Sequence, residues 1–349
     1  MISIAALLPF VTILIIIQLS IPQFVYVTGQ ILNTTKTSAS SDYYNNNTIS
    51  TRGHFDYLAT GELIPEHNST DYQYYNGISG NTSDSIQNEI MCPSQKEIVI
   101  YVHGVWTDET SANEQVNRTA MSLQTNNYTI PLIGFSWDSN TPFSEEGWKT
   151  AKTIAANNGP KLAQFILDFK NKCEDSDIRL IAHSLGAAIV NSTLVSLSSN
   201  NQEVNTISDF NITSVHLLGA AIDRSEIAAN TTFGKAIEKE VDNFYNLRNS
   251  EDNMLEYIYK NVENEDALGL LGIQHSLPIP RDYIEGQVDS EIPPIQDADG
   301  NSRLDCFDFF VLLPGDNHCG YIGFRGLPPF ENLLRNDGSM DVVVQDWLE

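Results

Sequence analysis

Ile178-Arg179-Leu180-Ile181-Ala182-His183-Ser184-Leu185-Gly186-Ala187-Ala188 decides how the rest of this 349-residue chain is read. Residues 178–182 form an apolar run of strand length, and 185–197 is built of apolar and small residues in the manner of a helix. Between them stands a serine. A serine hydroxyl is a poor nucleophile until it is held in the open beside a base. A sharp strand-to-helix turn of the G-x-S-x-G kind does this, lifting the Oγ to the carboxyl edge of a sheet. Ala182 stands where the first glycine is usual, and Gly186 keeps the second. The departure is mild, because one methyl obstructs the turn little. Taken alone, the pentapeptide is read equally well as a serine capping an ordinary helix.

A second motif upstream breaks the tie. Glu97-Ile-Val-Ile-Tyr-Val102-His103-Gly104-Val105 is an apolar strand that ends in His-Gly. Elbow chemistry needs two backbone N–H groups aimed at the oxygen that turns negative in a tetrahedral intermediate. Leu185, directly after the serine, supplies one, and the loop after a neighbouring strand, at Val105, supplies the other. Gly104 lets that backbone approach the substrate closely. His103 and His183 belong to these backbone-shaping motifs.

Together the two motifs, with Gly134-Phe-Ser-Trp137-Asp138 between them, resemble the α/β-hydrolase superfamily, and within it the lipase- and esterase-like members of undefined substrate. The resemblance covers roughly residues 95 to 349. It implies an α/β fold: a mostly parallel central sheet flanked by helices, with little or no cap domain, since 223–241 leaves no room for one. Helices are expected at 111–124, 148–172, 185–197, 234–240, 253–262 and 328–334.

The resemblance also implies the order Ser, acid, His along the chain. Asp252, in Asn249-Ser-Glu-Asp252-Asn-Met-Leu255, fits the family-like acid pattern just past a strand at 241–247. Glu251 is its neighbour, and Asp223, at the end of the preceding strand, is the position some lipases use. Beyond Asp252 the only histidines are His275 and His318. His318-Cys-Gly-Tyr321 resembles the closing H-x-x-Y motif, which favours His318. The expected machinery is therefore Ser184 as nucleophile, His318 as base, Asp252 as the acid, and Val105 with Leu185 as the oxyanion hole. The substrate expected is a carboxylic ester or lipid. An acyltransferase or peptidase would use the same parts, and a non-catalytic surface module on this fold is the reading from another class.

Residues 1–29 are almost wholly apolar and read as a signal peptide or an uncleaved signal anchor. Residues 30–91 are rich in Asn, Ser and Thr, with sequons at Asn33, Asn46, Asn68 and Asn81, and read as a glycosylated linker without fixed structure. The hydrolase domain is expected over 92–349. A net charge of −26 excludes nucleic acid as a partner and fits a secreted protein, or one tethered to the outer face of the membrane.

Four cysteines in an exported chain read as two disulfides. In the implied fold the strands before His103 and Ser184 lie side by side, and Cys92 and Cys173 each precede them by eleven residues. That pairs Cys92 with Cys173 and leaves Cys306 with Cys319. Finally, Asp297, Asp299, Asn301, Arg303 (through its carbonyl), Asp305 and Asp308 carry the ligand spacing of an EF-hand-type calcium loop. The loop resembles dockerin calcium loops, although Ser302 replaces the usual turn glycine. Structural calcium is the only cofactor expected.

Overall fold

The apolar runs of the sequence become the strands of one eight-stranded sheet. The computed structural model describes residues 47–64, 70–75, 90, 92–200, 212–292, 317–325 and 334–348, all within a single unit spanning Ser38–Glu349. Its strands are β1 (Asn47–Ser50), β2 (Gln73–Tyr75), β3 (Glu97–Val102), β4 (Leu132–Ser136), β5 (Asp177–His183), β6 (Ile212–Leu218), β7 (Val241–Arg248) and β8 (Tyr283–Gln287). Their order across the sheet is β2-β1-β4-β3-β5-β6-β7-β8, parallel throughout except for β2 against β1. Parallel strands buried on both faces need apolar side chains at successive positions. Ile98 to Val102 in β3 and Leu180 to Ala182 in β5 meet that need, at 2 % exposure or less.

Helices cover both faces. They are α1 (Glu109–Thr125), α2 (Glu145–Lys172), α3 (Gly186–Asn200), α4 (Thr232–Glu240) and the C-terminal α7 (Met340–Leu348), with short turns α5 (Lys260–Glu263) and α6 (Leu268–Leu271) between β7 and β8. Local chemistry sets where the long ones begin. Asp108 caps α1 by accepting the Ser111 N–H, and Ser144 caps α2 by accepting the Gly147 N–H. The fold is thus the α/β-hydrolase arrangement expected, with no cap domain between β6 and β7.

Three expectations need correction. Residues 47–64 and 70–75 are not an unstructured linker. β1 pairs with β4 and β2 with β1, while Ile49, Phe55 and Tyr74 are buried in the core. Their burial comes from a distant partner strand, which local composition does not reveal. The helix expected at 253–262 is a π-helical turn (Met254–Tyr259) running into α5. Of the helix expected at 328–334, residues 326–333 lie outside the described residues, and Leu334 begins a short strand β10 (Leu334–Asn336) paired with β9 (Phe324–Arg325).

The Cys92–Cys173 disulfide is present, with Cα atoms 5.4 Å apart. It lies where the register expects it, just before the paired residues Glu97 and Asp177 that open β3 and β5. Cys319 is also disulfide-bonded, and Cys306 lies outside the described residues. The proposed calcium ligands Asp297, Asp299, Asn301, Arg303, Asp305 and Asp308 lie outside them too, as does the apolar segment 1–29. Among the described residues no cluster of three or more His, Cys, Asp or Glu side chains could hold a metal ion, and no helix is long and apolar enough to cross a membrane.

Candidate active site

Ser184 sits at the turn from β5 into α3 with φ of 56°, a left-handed conformation that few non-glycine residues adopt. The surroundings hold it there. Its N–H donates to the Leu218 carbonyl at the end of β6, and its own carbonyl accepts from Ala221 and Ala187. Gly186 is required by space: a Cβ there would stand 2.7 Å from the Val102 carbonyl oxygen. Ala182 is wholly buried between Val102 and Leu217 on the flanking strands, so its methyl fills core instead of crowding the turn.

Gly104 faces the serine directly. A Cβ at Gly104 would lie 2.7 Å from Ser184 Cβ and 3.2 Å from its Oγ. The loop carrying Gly104 is fixed by hydrogen bonds to its carbonyls. His103 Nδ1–H donates to the Gly104 carbonyl at 2.9 Å, Trp137 Nε1–H to the His103 carbonyl at 2.9 Å, and Ser139 Oγ–H to the Thr107 carbonyl at 2.7 Å. A peptide unit is planar and trans, so holding the Gly104 C=O on one side aims the Val105 N–H to the other. Among the described residues neither the Val105 nor the Leu185 N–H has an acceptor.

Next along this loop, Trp106 is again left-handed, at φ 54°. A bulky side chain in that region is strained, and such strain persists only where the surroundings impose it. Here Trp106 N–H donates to the Ser139 carbonyl, and the indole lies against Phe143 and Trp148 with ring centroids 4.5 and 5.8 Å away.

Asp252 and His318 come together across a sequence separation of 66 residues. Asp252, fully buried, accepts from His318 Nδ1–H at 2.7 Å, from Tyr321 Oη–H at 3.3 Å and from the Leu255 N–H at 3.0 Å. The last contact ties Asp252 to the π-helical turn through the Leu255 N–H. Tyr321 is held against Gly219, where a Cβ would stand 2.7 Å from its ring, and burial raises its pKa far enough to keep it a hydroxyl donor. His183 braces the other side of His318. Its Nε2–H donates to the His318 carbonyl at 2.7 Å, and burial drives its pKa down to about 3, so the ring stays neutral.

Ser184, His183 and His318 share one cleft with Gly104 and Val105. Its walls are mainly apolar: Trp106, Trp148, Leu255, Ile258 and Tyr259. The turn that supplies the last three is π-helical, a wider coil found frequently at functional sites. The alternatives fall elsewhere. Asp223 accepts the Ser225 N–H at 2.7 Å and does not line the cleft, Glu251 is exposed, and so is His275.

Sequence reasoning missed the aromatic wall and Arg52. Arg52 Nη2 donates to the Thr107 carbonyl at 3.1 Å and to His103 Nε2 at 3.3 Å. The only local signal for it was one arginine in an otherwise polar stretch.

The sequence matches the family described as "Alpha/beta hydrolase of unknown function (DUF900)" over residues 79–275. None of the curated proteins matches it. Among solved structures it is similar to XC6422 of Xanthomonas campestris, an a/b serine hydrolase without lid. That match has 11 % identity, 55 % of this chain and 71 % of that one covered, and a TM-score of 0.30. Aspergillus fumigatus lipase B aligns at 11 % identity, covering 72 % of this chain and 62 % of that one, with a TM-score of 0.34. Trichoderma reesei cutinase aligns at 17 % identity, covering 42 % and 59 %, with a TM-score of 0.26. The chain thus spans about three-fifths of the lipase and of the cutinase.

Proposed function

The chain belongs to the alpha/beta hydrolases of unknown function (DUF900), and from that premise we propose that it is a serine hydrolase acting on carboxylic esters. The observation that carries this reading is the meeting, in one cleft, of a serine at φ 56° with a histidine hydrogen-bonded to a fully buried aspartate.

In this proposal Ser184 Oγ attacks the ester carbonyl carbon while His318 Nε2 takes its proton. Asp252 holds the Nδ1–H, which fixes the tautomer and stabilises the imidazolium that forms. The tetrahedral oxyanion is met by the Val105 and Leu185 N–H groups. As the intermediate collapses, the imidazolium protonates the departing alcohol. Water, deprotonated by the same histidine, then releases the acid. The apolar wall of Trp106, Trp148, Ile258 and Tyr259 suits an apolar acyl group.

The same proposal sets the enzyme outside the cytoplasm, on the apolar segment 1–29 and the sequons. The Cys92–Cys173 disulfide supports it, because such bonds persist in oxidising compartments. Calcium at 297–308 remains part of the reading, and titration calorimetry on the folded protein tests it.

A fluorophosphonate probe and nitrophenyl esters from acetyl to palmitoyl test the activity. Labelling should fall on Ser184, and Ser184→Ala should abolish it and lower turnover by on the order of 10⁶. Labelling at another serine, or turnover that survives the substitution, refutes the proposal.

A further inference from the structure

We propose that Arg52, upstream of residue 79 where the family match begins, is a positioning residue for the oxyanion loop: its guanidinium clamps His103 and the Thr107 carbonyl, and through them aims the Val105 N–H. The inference rests on the reading of Val105 as an oxyanion donor.

The geometry runs through one imidazole. The Gly104 carbonyl can only accept, so the contact at His103 Nδ1 requires a proton on Nδ1. The ring is neutral, since burial first and the Arg52 charge second hold its pKa well below the usual histidine value. Nε2 is therefore bare, and two donors converge on it: the Trp137 N–H at 3.2 Å and Arg52 Nη2 at 3.3 Å. The other proton of Nη2 goes to the Thr107 carbonyl, and Nε–H goes to Ser136 Oγ at 2.6 Å. One guanidinium thus ties the start of the loop, its end and the adjacent strand β4.

Arg52 is itself held for this task. On one side the Thr51 N–H donates to the Ser136 carbonyl, extending the β1–β4 pairing by one bond. On the other, the carboxylate of Asp138 accepts the N–H groups of Gly53, His54 and Phe55 at 3.0 to 3.1 Å. Phe55 is then anchored in the core with Lys161 Nζ over its ring at 5.5 Å. A planar, always charged fork suits three simultaneous contacts in a way that a lysine does not. Residues 47–64 are on this account part of the active unit, and an enzyme trimmed to the family match would carry a loosened loop.

The test uses the full chain with Arg52→Met and Arg52→Lys. Three measurements are made: kcat and KM on a nitrophenyl ester, the affinity of an alkyl boronic acid whose tetrahedral adduct carries an oxygen in the oxyanion position, and the ¹⁵N signals of the His103 ring. A misplacement of about 1 Å costs about 10²-fold in rate, so a loosened loop should lower kcat by roughly ten- to a hundredfold. KM should stay within about twofold, boronate affinity should fall by the same factor as kcat, and the Nδ1 and Nε2 signals should draw together. Arg52→Lys, with one donor head in place of a fork, should fall between. If the Met variant fails to fold, the Lys variant decides by the same three measurements. Unchanged kcat and boronate affinity in a folded variant overturns the proposal, as does a loss confined to KM or an unchanged His103 spectrum. A native protein that cleaves no ester defeats the esterase reading, and the His103 spectrum still decides the role of Arg52.

Discussion

Gly104→Ala is the most discriminating single methyl that can be added to this protein. The new Cβ would stand 2.7 Å from Ser184 Cβ, 3.2 Å from Ser184 Oγ and 3.3 Å from the His183 carbonyl oxygen. Carbon atoms sit best about 3.5–4.0 Å apart, so roughly 1 Å of overlap must be relieved. Neither side gives readily. Ser184 is pinned through its N–H to Leu218 and its carbonyl to Ala221, and Gly186 beneath it has no space to retreat toward β3. The opposing loop is held by the His103 and Trp137 bonds to its carbonyls. Overpacking of this kind costs about 1–3 kcal/mol in stability. Relief on the loop side displaces the Val105 N–H, and loss of one oxyanion donor costs about 10²–10³ in kcat. Active-site titration followed by nitrophenyl ester kinetics reads the effect. Gly286→Ala is the control, because its Cβ would meet only the end of the Leu247 side chain, which can move, and kcat should hold within about twofold. A folded Gly104→Ala enzyme with unaltered kcat would falsify the facing of Gly104 and Ser184 as the basis of the site.

Asp252→Asn should keep the fold and lower kcat by about 10⁴, since the amide cannot hold His318 in the working tautomer; a loss below tenfold in ester kinetics would point to a different acid. Replacing Cys92 and Cys173 by serine opens a link across a sequence separation of 81 and should lower stability by roughly 4–5 kcal/mol in the chain-entropy model. Turnover should survive at low temperature, because the bond lies at the end of the sheet away from Ser184, and urea unfolding beside an activity assay checks both halves. His103, His183 and His216 are buried with pKa values lowered chiefly by burial. Their folded pKa lies below the unfolded value of about 6.5, so the stability they contribute is present above that pH and is lost as the pH falls, for His183 toward about 3. His183→Gln should flatten the slope of unfolding free energy against pH below about 6.5 by up to ~1.36 kcal/mol per pH unit, and an unchanged slope in urea titrations at several pH values would contradict that sign.

What could be read from the chain follows a physical division. The meeting of Ser184, Asp252 and His318 at one place was legible because a serine at such a turn calls for few residue types and the fold orders them along the chain. Long helices were legible within a few residues, because capping by Asp108 and Ser144 is local. The cysteine pairing was legible because parallel register carries a fixed offset from one strand end to its neighbour. The rest depends on partners far away in sequence. β1 has four residues and β2 three, too few to show a period, and they become strands only because β1 joins β4 and β2 joins β1. The π-helical turn Met254–Tyr259 carries apolar residues that an α-helix would carry equally well, so the sequence does not tell the two apart.

The choice between Asp223 and Asp252 shows the limit most sharply. Both follow a parallel strand of apolar residues, and both accept a nearby backbone N–H with the carboxylate. The strand-then-turn setting alone therefore does not separate them; the family-like pattern around Asp252 does so only by resemblance. What separates them is contact: His318 and Tyr321 reach Asp252 from 66 and 69 residues away. Gly219 is what admits Tyr321, whose ring occupies the space a side chain there would take. A bulkier residue at 219 would expel the tyrosine and strip Asp252 of one of its three donors, so Gly219, just past the end of β6, helps to set the surroundings of Asp252 as much as that residue's own position does.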